Sequence, residues 1–266
     1  MTLSTDAAPD ENNRWHHFKV VIFDLDGVVT NTAILHTAAW KKAFDSYLRY
    51  RSQRDGMPFL EFTLEDYLTY VDGKPRYDGV KSFLESRDIY LPYGQVEDGK
   101  TEETICGIGN SKNDAFRLVL ETNGVDVFET TVFLIQELKK CGIHVGVASS
   151  SKNCESILKR AGLLELFETR VDGVISDELG LKGKPEADIF IQAALNLGAS
   201  TLETVVVEDA VSGVSAGRKG GFGLVLGIAR EDNAKDLLRN GADIVVKDLA
   251  EITIEDIDKW FACKSH

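Results

Sequence analysis

The run Phe-Lys-Val-Val-Ile-Phe-Asp-Leu-Asp-Gly-Val-Val-Thr-Asn-Thr at residues 18–32 constrains this chain more than any other stretch. Its apolar block, Val20, Val21, Ile22 and Phe23, suits a strand buried on both faces of a parallel sheet, and it stops at Asp24, Asp26 and Gly27. Carboxylates placed there emerge at the carboxyl end of the strand. That is the edge where open α/β sheets bind ligands, at the point where strand order reverses. Alternate residues of an extended chain share a face, so Asp24 and Asp26 address one substrate while Leu25 turns into the core. An ionised aspartate is a competent nucleophile toward phosphorus, giving an aspartyl-phosphate, and a second carboxyl two residues on can handle the proton. A bare Asp-x-Asp is also an ordinary acidic turn, so the remainder of the chain decides between the two readings.

A chain of 266 residues buries a full core and predicts one large domain with a smaller one. The net charge of −13 argues against nucleic-acid and anionic-membrane partners, which need a basic face, so a phosphate ligand has to be held by local groups. Cys106, Cys141, Cys154 and Cys263 show no Cys-x-x-Cys spacing and do not cluster with histidines, which speaks against a zinc site or disulfide framework. There is no basic-flanked apolar leader and no apolar stretch long enough to span a membrane; a cytoplasmic monomer acting on a small molecule is the expectation.

In chain order, residues 1–17 are polar and aperiodic, a flexible tail in which His16 and His17 are assigned no role. Apolar spacing over residues 32–48 predicts a helix with Thr32 as its cap. Short helices are expected at 60–71, 80–87 and 113–123, with no buried strand among them, and the Arg- and Gln-rich stretch 50–58 reads as an insertion able to reshape a substrate pocket. Helix and strand then alternate: helix 130–141 closed by Gly142, strand 143–148 ending in Ser149, Ser150 and Ser151, helix 151–161, strand 171–175, and a loop to Pro185. Helix 186–197 follows, with Pro185 at its first position and Lys184 just ahead of it. Strand 204–207 ends at Glu208 and Asp209; helix 212–218, strand 221–227, helix 231–240 and strand 242–246 complete the chain. The glycines at 221–227 are spaced GxGxxxG and do not open a helix, so a dinucleotide site is rejected. The expected architecture is an α/β, doubly wound parallel-sheet, Rossmann-like core over 18–30 and 127–262, interrupted by an all-helical domain over 31–126.

The segment from Asp24 to Thr30 resembles the DxDGxxT motif of the haloacid dehalogenase superfamily, and three further features follow in that superfamily's order: Ser149 at a strand end, Lys184 in Gly-Lys-Pro, and the pair Glu208-Asp209. The resemblance spans residues 18–261. It narrows to the β-phosphoglucomutase-like subfamily through Thr32, His36 and Trp40 (TxxxHxxxW), Arg76 after Val-Asp-Gly-Lys-Pro, Lys112-Asn113, SSSKN at 149–153 and KPEADIF at 184–190. Asn31, where many relatives carry Asp, is a departure that leaves the chemistry intact. Read alone, His36 is a helix-surface residue, Trp40 a packing residue and Lys184 a solvated lysine.

The resemblance implies a helical cap over a phosphoryl-transfer site. Asp24 would be the nucleophile and Asp26 the acid and base; Ser149 would bond a phosphoryl oxygen, helped by backbone N–H groups at the start of helix 151–161, and Lys184 would neutralise charge. Mg²⁺ would be held by Asp24, Asp209 and the backbone carbonyl of Asp26, with Glu208 as a ligand or behind the ligands. Thr32, His36, Trp40, Ser150, Ser151 and Asn153 would bind substrate, and Arg76 and Lys112 would hold a second phosphate. The implied activity is interconversion of β-glucose 1-phosphate and glucose 6-phosphate through the 1,6-bisphosphate. A sugar-phosphate phosphatase is the alternative. A non-catalytic phospho-ligand-binding protein is the remote one, against which intact Asp24 and Asp26 speak.

Overall fold

A computed structural model describes residues 17–230 and 232–264, with Asn123 described by its backbone alone. The tail over 1–16 and the helix start expected at Glu231 lie outside the described residues. At the edge of that tail, the His17 backbone N–H donates to Asp258 Oδ1 at 2.6 Å.

The strand β1 (Val20–Phe23) lies inside a six-stranded, all-parallel sheet with β2 (His144–Ala148), β3 (Thr169–Val171), β4 (Thr204–Glu208), β5 (Leu224–Ile228) and β6 (Ile244–Val246), in the order β3-β2-β1-β4-β5-β6. Ile22 stands opposite Gly146 on one side and Val206 on the other. The chain runs outward from β1 through β2 to β3 and returns to start β4 beside β1, which makes the carboxyl ends of β1 and β4 the switch point. Side-chain alternation divides the core. Val21 and Phe23 join Leu134, Ile157 and Phe261 on one face, and Val20 and Ile22 join Phe190, Ala193 and Val214 on the other.

Between β1 and β2 the described chain is helical: α1 (Ala33–Asp55), α2 (Leu64–Asp66) running into a wider turn at Tyr67–Val71, α3 (Arg76–Ser86), α4 (Ile105–Asn123) and α5 (Glu129–Lys140). A third buried cluster, including Trp40, Phe44, Phe62, Val80 and Phe83, is drawn wholly from residues 40–108. The remaining helices alternate with strands: α6 (Cys154–Ala161), α7 (Gly173–Leu179), α8 (Asp188–Asn196), α9 (Val211–Lys219), α10 (Ala234–Arg239) and α11 (Ile254–Lys264).

Several expectations are corrected. The stretch 50–58 is no insertion loop: α1 continues to Asp55 and closes at Gly56 with φ 69°, and Arg54 pairs with Asp55 and Glu103, neither of which lines the catalytic crevice. Residues 60–63 precede their helix, which starts at Leu64 with Thr63 and Asp66 as reciprocal caps. Helices α3 and α4 start earlier than expected, at Arg76 and Ile105. Val174 and Ile175 belong to α7, because the Asp172 carboxylate accepts both of their N–H groups and starts a helix where a strand was expected. Pro185 lies in a turn after a cis peptide bond, ahead of α8, and is not the first helical residue. Likewise α6 begins at Cys154, so residues 151–153 form a turn. Thr32 stands at the N-cap position of α1 but makes no cap bond; its hydroxyl is committed elsewhere.

Candidate active site

The carboxyl ends of β1, β2 and β4 form the floor of one crevice, with α1, α4 and the chain from Tyr67 to Arg76 above it. Asp24, Asp26, His36, Trp40, Arg76, Lys112, Ser149, Ser150, Ser151, Asn153, Glu208 and Asp209 all line it, as expected from the sequence. Thr32 and Lys184 are buried behind this lining, each bonded to one of the two aspartates.

Asp24 and Asp26, two residues apart, occupy different environments. Lys184 Nζ donates to Asp24 Oδ1 and, at 2.5 Å, to Glu208 Oε1. Burial pushes the Asp24 carboxyl well above the usual range; Lys184 opposes the shift, while Glu208 and Asp26 add to it. The charge on Lys184 is held against burial by those same two carboxylates, which raise its pKa above the ordinary value. Asp26 faces the other way. Its Oδ1 accepts from the Thr32 hydroxyl and lies 3.2 Å from His36 Nε2. Burial favours its neutral form, but His36, Thr32 and Lys112 bring its pKa down to about 2, so it is an anion here.

Above Asp26, His36 stacks on Phe116 at 4.0 Å, and its Nδ1 is 2.6 Å from Lys112 Nζ, which itself sits over the Trp40 ring at 4.8 Å. Burial, reinforced by Arg76, lowers the Lys112 pKa to about 7. Asn113 Oδ1 collects two donors, Arg76 at 2.8 Å and Asn153 at 2.9 Å, and so ties the crevice's arginine to the loop after β2. Ser149 is anchored through its N–H to the Val171 carbonyl, and its hydroxyl accepts the Ser151 N–H at 3.1 Å. That donor comes from the turn before α6, not from a helix start.

Carboxylate oxygens of Asp24, Glu208 and Asp209 all lie within 4.8 Å of one another. Burial raises the Asp209 pKa well above its usual value, with Asp72, Glu208 and Asp24 adding to the shift. Such a cluster, short of compensating charge and made only of oxygen donors, fits a hard divalent cation. Close approach depends on Gly27, whose φ is 88° and where a Cβ would lie 1.8 Å from Asp209 Oδ2. Glu208 has both oxygens engaged: Oε1 on Lys184, and Oε2 accepting the N–H groups of Asp209 at 2.9 Å and Ala210 at 3.0 Å. It therefore stands behind the cluster, orienting Lys184 and the turn that carries Asp209. The Asp26 side chain points away from this cluster, toward Thr32 and His36.

Sequence reasoning missed Asp72 and Tyr67, which line the crevice from the helical side. Burial raises the Asp72 pKa to about 6 despite a hydrogen bond with Tyr67. An isolated acid and tyrosine in a helical segment carry no pattern that marks them. Ser150 was expected to bind substrate, but its hydroxyl is donated to the Gly73 carbonyl at 2.7 Å.

A haloacid dehalogenase-like hydrolase model matches residues 18–221, and the chain belongs to that family, with an aspartate pair, a lysine and an acidic strand end placed for phosphoryl transfer. Within the family it is of the β-phosphoglucomutase-like subfamily. It is 46% identical over 238 residues to a β-phosphoglucomutase of Mycobacterium bovis, covering 88% of this chain and 91% of that protein. Its identity to the β-phosphoglucomutase of Bacillus subtilis is 31% over 244 residues, 91% of this chain and 95% of that one. Among solved structures, a β-phosphoglucomutase from Clostridium difficile superposes with a TM-score of 0.73 at 22% identity, covering 93% of this chain and 99% of the other, which speaks to the fold alone. The protein is thus an enzyme of the phosphotransferase and phosphatase type, acting on a small molecule. Among the described residues no helix is long and apolar enough to cross a membrane.

Proposed function

We propose that the chain is a Mg²⁺-dependent, cytoplasmic, monomeric mutase that interconverts β-glucose 1-phosphate and glucose 6-phosphate through the 1,6-bisphosphate. In this reading residues 18–30 and 127–262 form the catalytic core and residues 31–126 the cap. The observation that carries it is the division between the two aspartates: Asp24 is tied to the core lysine, and Asp26 is an anion held by Thr32, His36 and Lys112, which sit at the base of the helical segment and within it.

Asp24, carrying the phosphoryl group, offers it to a sugar hydroxyl whose proton passes to the Asp26 carboxylate as the new P–O bond forms and the Asp24–phosphorus bond breaks. After the bisphosphate turns around, Asp24 attacks its other phosphorus, and Asp26 returns the proton to the departing sugar oxygen. Lys184 and Ser149 hold the phosphoryl oxygens. A divalent cation bound at Asp24, Asp209 and the Asp26 carbonyl would supply further neutralisation of phosphoryl charge. A mutase, unlike a phosphatase, needs a second anion site for the phosphate that is not reacting. Arg76 and Lys112, the two cationic residues lining the crevice from the helical side near Asn113 and Asn153, suit that role, and Thr32, His36, Trp40, Ser151 and Asn153 would contact the sugar phosphate. Relatives named β-phosphoglucomutase along most of the chain support the same reading.

The test is incubation with Mg²⁺ and a panel of sugar phosphates, scoring isomerised product against free phosphate. Conversion of β-glucose 1-phosphate to glucose 6-phosphate, primed by a trace of bisphosphate and lost with Arg76→Ala, is the expected result. Release of free phosphate alone would make the protein a sugar-phosphate phosphatase.

A further inference from the structure

We propose that Ser150 and Ser212 act as positioning residues that latch the loop 72–75 onto the core, and that this latch sets how often the phosphoryl group on Asp24 passes to a sugar and how often to water. The inference rests on the phosphoryl-transfer reading above. Two hydroxyls rooted in different core loops reach two successive peptide carbonyls of one loop: Ser150 Oγ donates to Gly73 O at 2.7 Å and Ser212 Oγ to Asp72 O at 2.9 Å. A carbonyl only accepts, so the serines must be the donors. The fit around them is close. Gly73 has φ 70°, and a Cβ there would lie 2.2 Å from Ser212 Oγ. On the third side, a Cβ on Gly183 would lie 2.0 Å from Pro75 Cγ.

The three core loops that meet this short segment are those bearing Ser149, Lys184 and Asp209. Docking the loop therefore brings it against all three parts of the phosphoryl site together. Helix α3 begins at Arg76, directly after Pro75, so the same contact fixes the position of the proposed second-phosphate arginine. A closed, oriented crevice favours a sugar hydroxyl over solvent; a loosened one admits water to the aspartyl-phosphate. In either outcome the Asp24–phosphorus bond breaks. The acceptor oxygen, of sugar or water, takes the phosphorus and gives its proton to Asp26.

The experiment compares wild type with Ser150→Ala, Ser212→Ala and the double variant. Two readouts are taken: the ratio of sugar-phosphate product to free phosphate from enzyme phosphorylated with acetyl phosphate, and amide hydrogen exchange across residues 67–76 without substrate. Each neutral hydrogen bond contributes modestly, so the ratio should fall about five-fold in each single variant and about twenty-fold in the double, with exchange in the segment faster by similar factors. Serine to alanine removes one oxygen without enlarging the side chain, and an unchanged far-UV spectrum confirms folding. An unchanged ratio and unchanged exchange in the double variant would overturn the latch. A rise in KM alone for Ser150→Ala would overturn it too, returning Ser150 to substrate binding. Wild type that yields only free phosphate, with exchange still accelerated in the double variant, removes the sugar acceptor from the proposed function while supporting the latch.

Discussion

Asp24 and Asp26 show how far two identical side chains can be driven apart by what surrounds them. Asp24→Asn cannot form an acyl phosphate, and acid-quenched enzyme should carry no trapped phosphoryl group. Asp26→Asn leaves the nucleophile in place, so phosphoenzyme should still accumulate from acetyl phosphate while transfer to a sugar falls by about 10²- to 10⁴-fold. Lys112 gives a second test, through stability. Its pKa is lowered to about 7 by burial and Arg76, from about 10.4 in an unfolded chain. Between those values the unfolded state binds more protons than the folded one, so this residue makes stability rise with pH above about 7 and subtracts most below it. The slope is at most about 1.4 kcal/mol per pH unit. Urea unfolding of wild type and Lys112→Met between pH 6 and 9 should show a rise that the variant lacks; parallel curves would contradict the shift.

At the scale of elements, legibility followed burial. Strands β1 and β4 are buried on both faces and advertise themselves as unbroken apolar runs, and the residues that end them are the chemistry. Where packing or one cap decides, the sequence was less informative. Val-Asp-Gly-Val-Ile has strand-like side chains, yet the Asp172 carboxylate turns it into α7. The start of α4 was hidden by Gly107 and Gly109, which look like helix breakers; Gly109 is small because a Cβ there would lie 2.8 Å from the Tyr77 ring. Residues of the core motifs could be found because each ends a strand or precedes a helix, whereas Asp72, Tyr67 and Ser212 matter only through what folding brings beside them. The β4–α9 turn also yields a prediction. A Cβ on Gly213 would lie 1.7 Å from Glu208 Oε1. Gly213→Ala should displace that carboxylate and leave Lys184 with one partner, costing about 2–4 kcal/mol in urea unfolding and most of the phosphoryl transfer.

For the molecule as a whole, the acidic crevice inside a chain of net charge −13 makes cation binding a matter of stability as well as activity. Mg²⁺ at about a hundred times its dissociation constant should add about 2.7 kcal/mol, seen as a Tm higher by about 5–10 °C that EDTA reverses. Asp209→Ala should abolish that increment and raise the metal concentration needed for turnover. Zinc should substitute poorly at a site of oxygen donors. The register of β1 also bears on how the chain is made. Val20 pairs with His144 on one side and with Thr204 on the other, so the first strand to leave the ribosome waits for more than half of the chain before either edge is satisfied. The aromatic cluster of residues 40–108 has all its partners nearby in sequence and can close long before then. The nascent enzyme thus completes the part that will shield its chemistry while the strand bearing the nucleophile is still unpaired, and that strand is its point of greatest exposure to misassociation during synthesis.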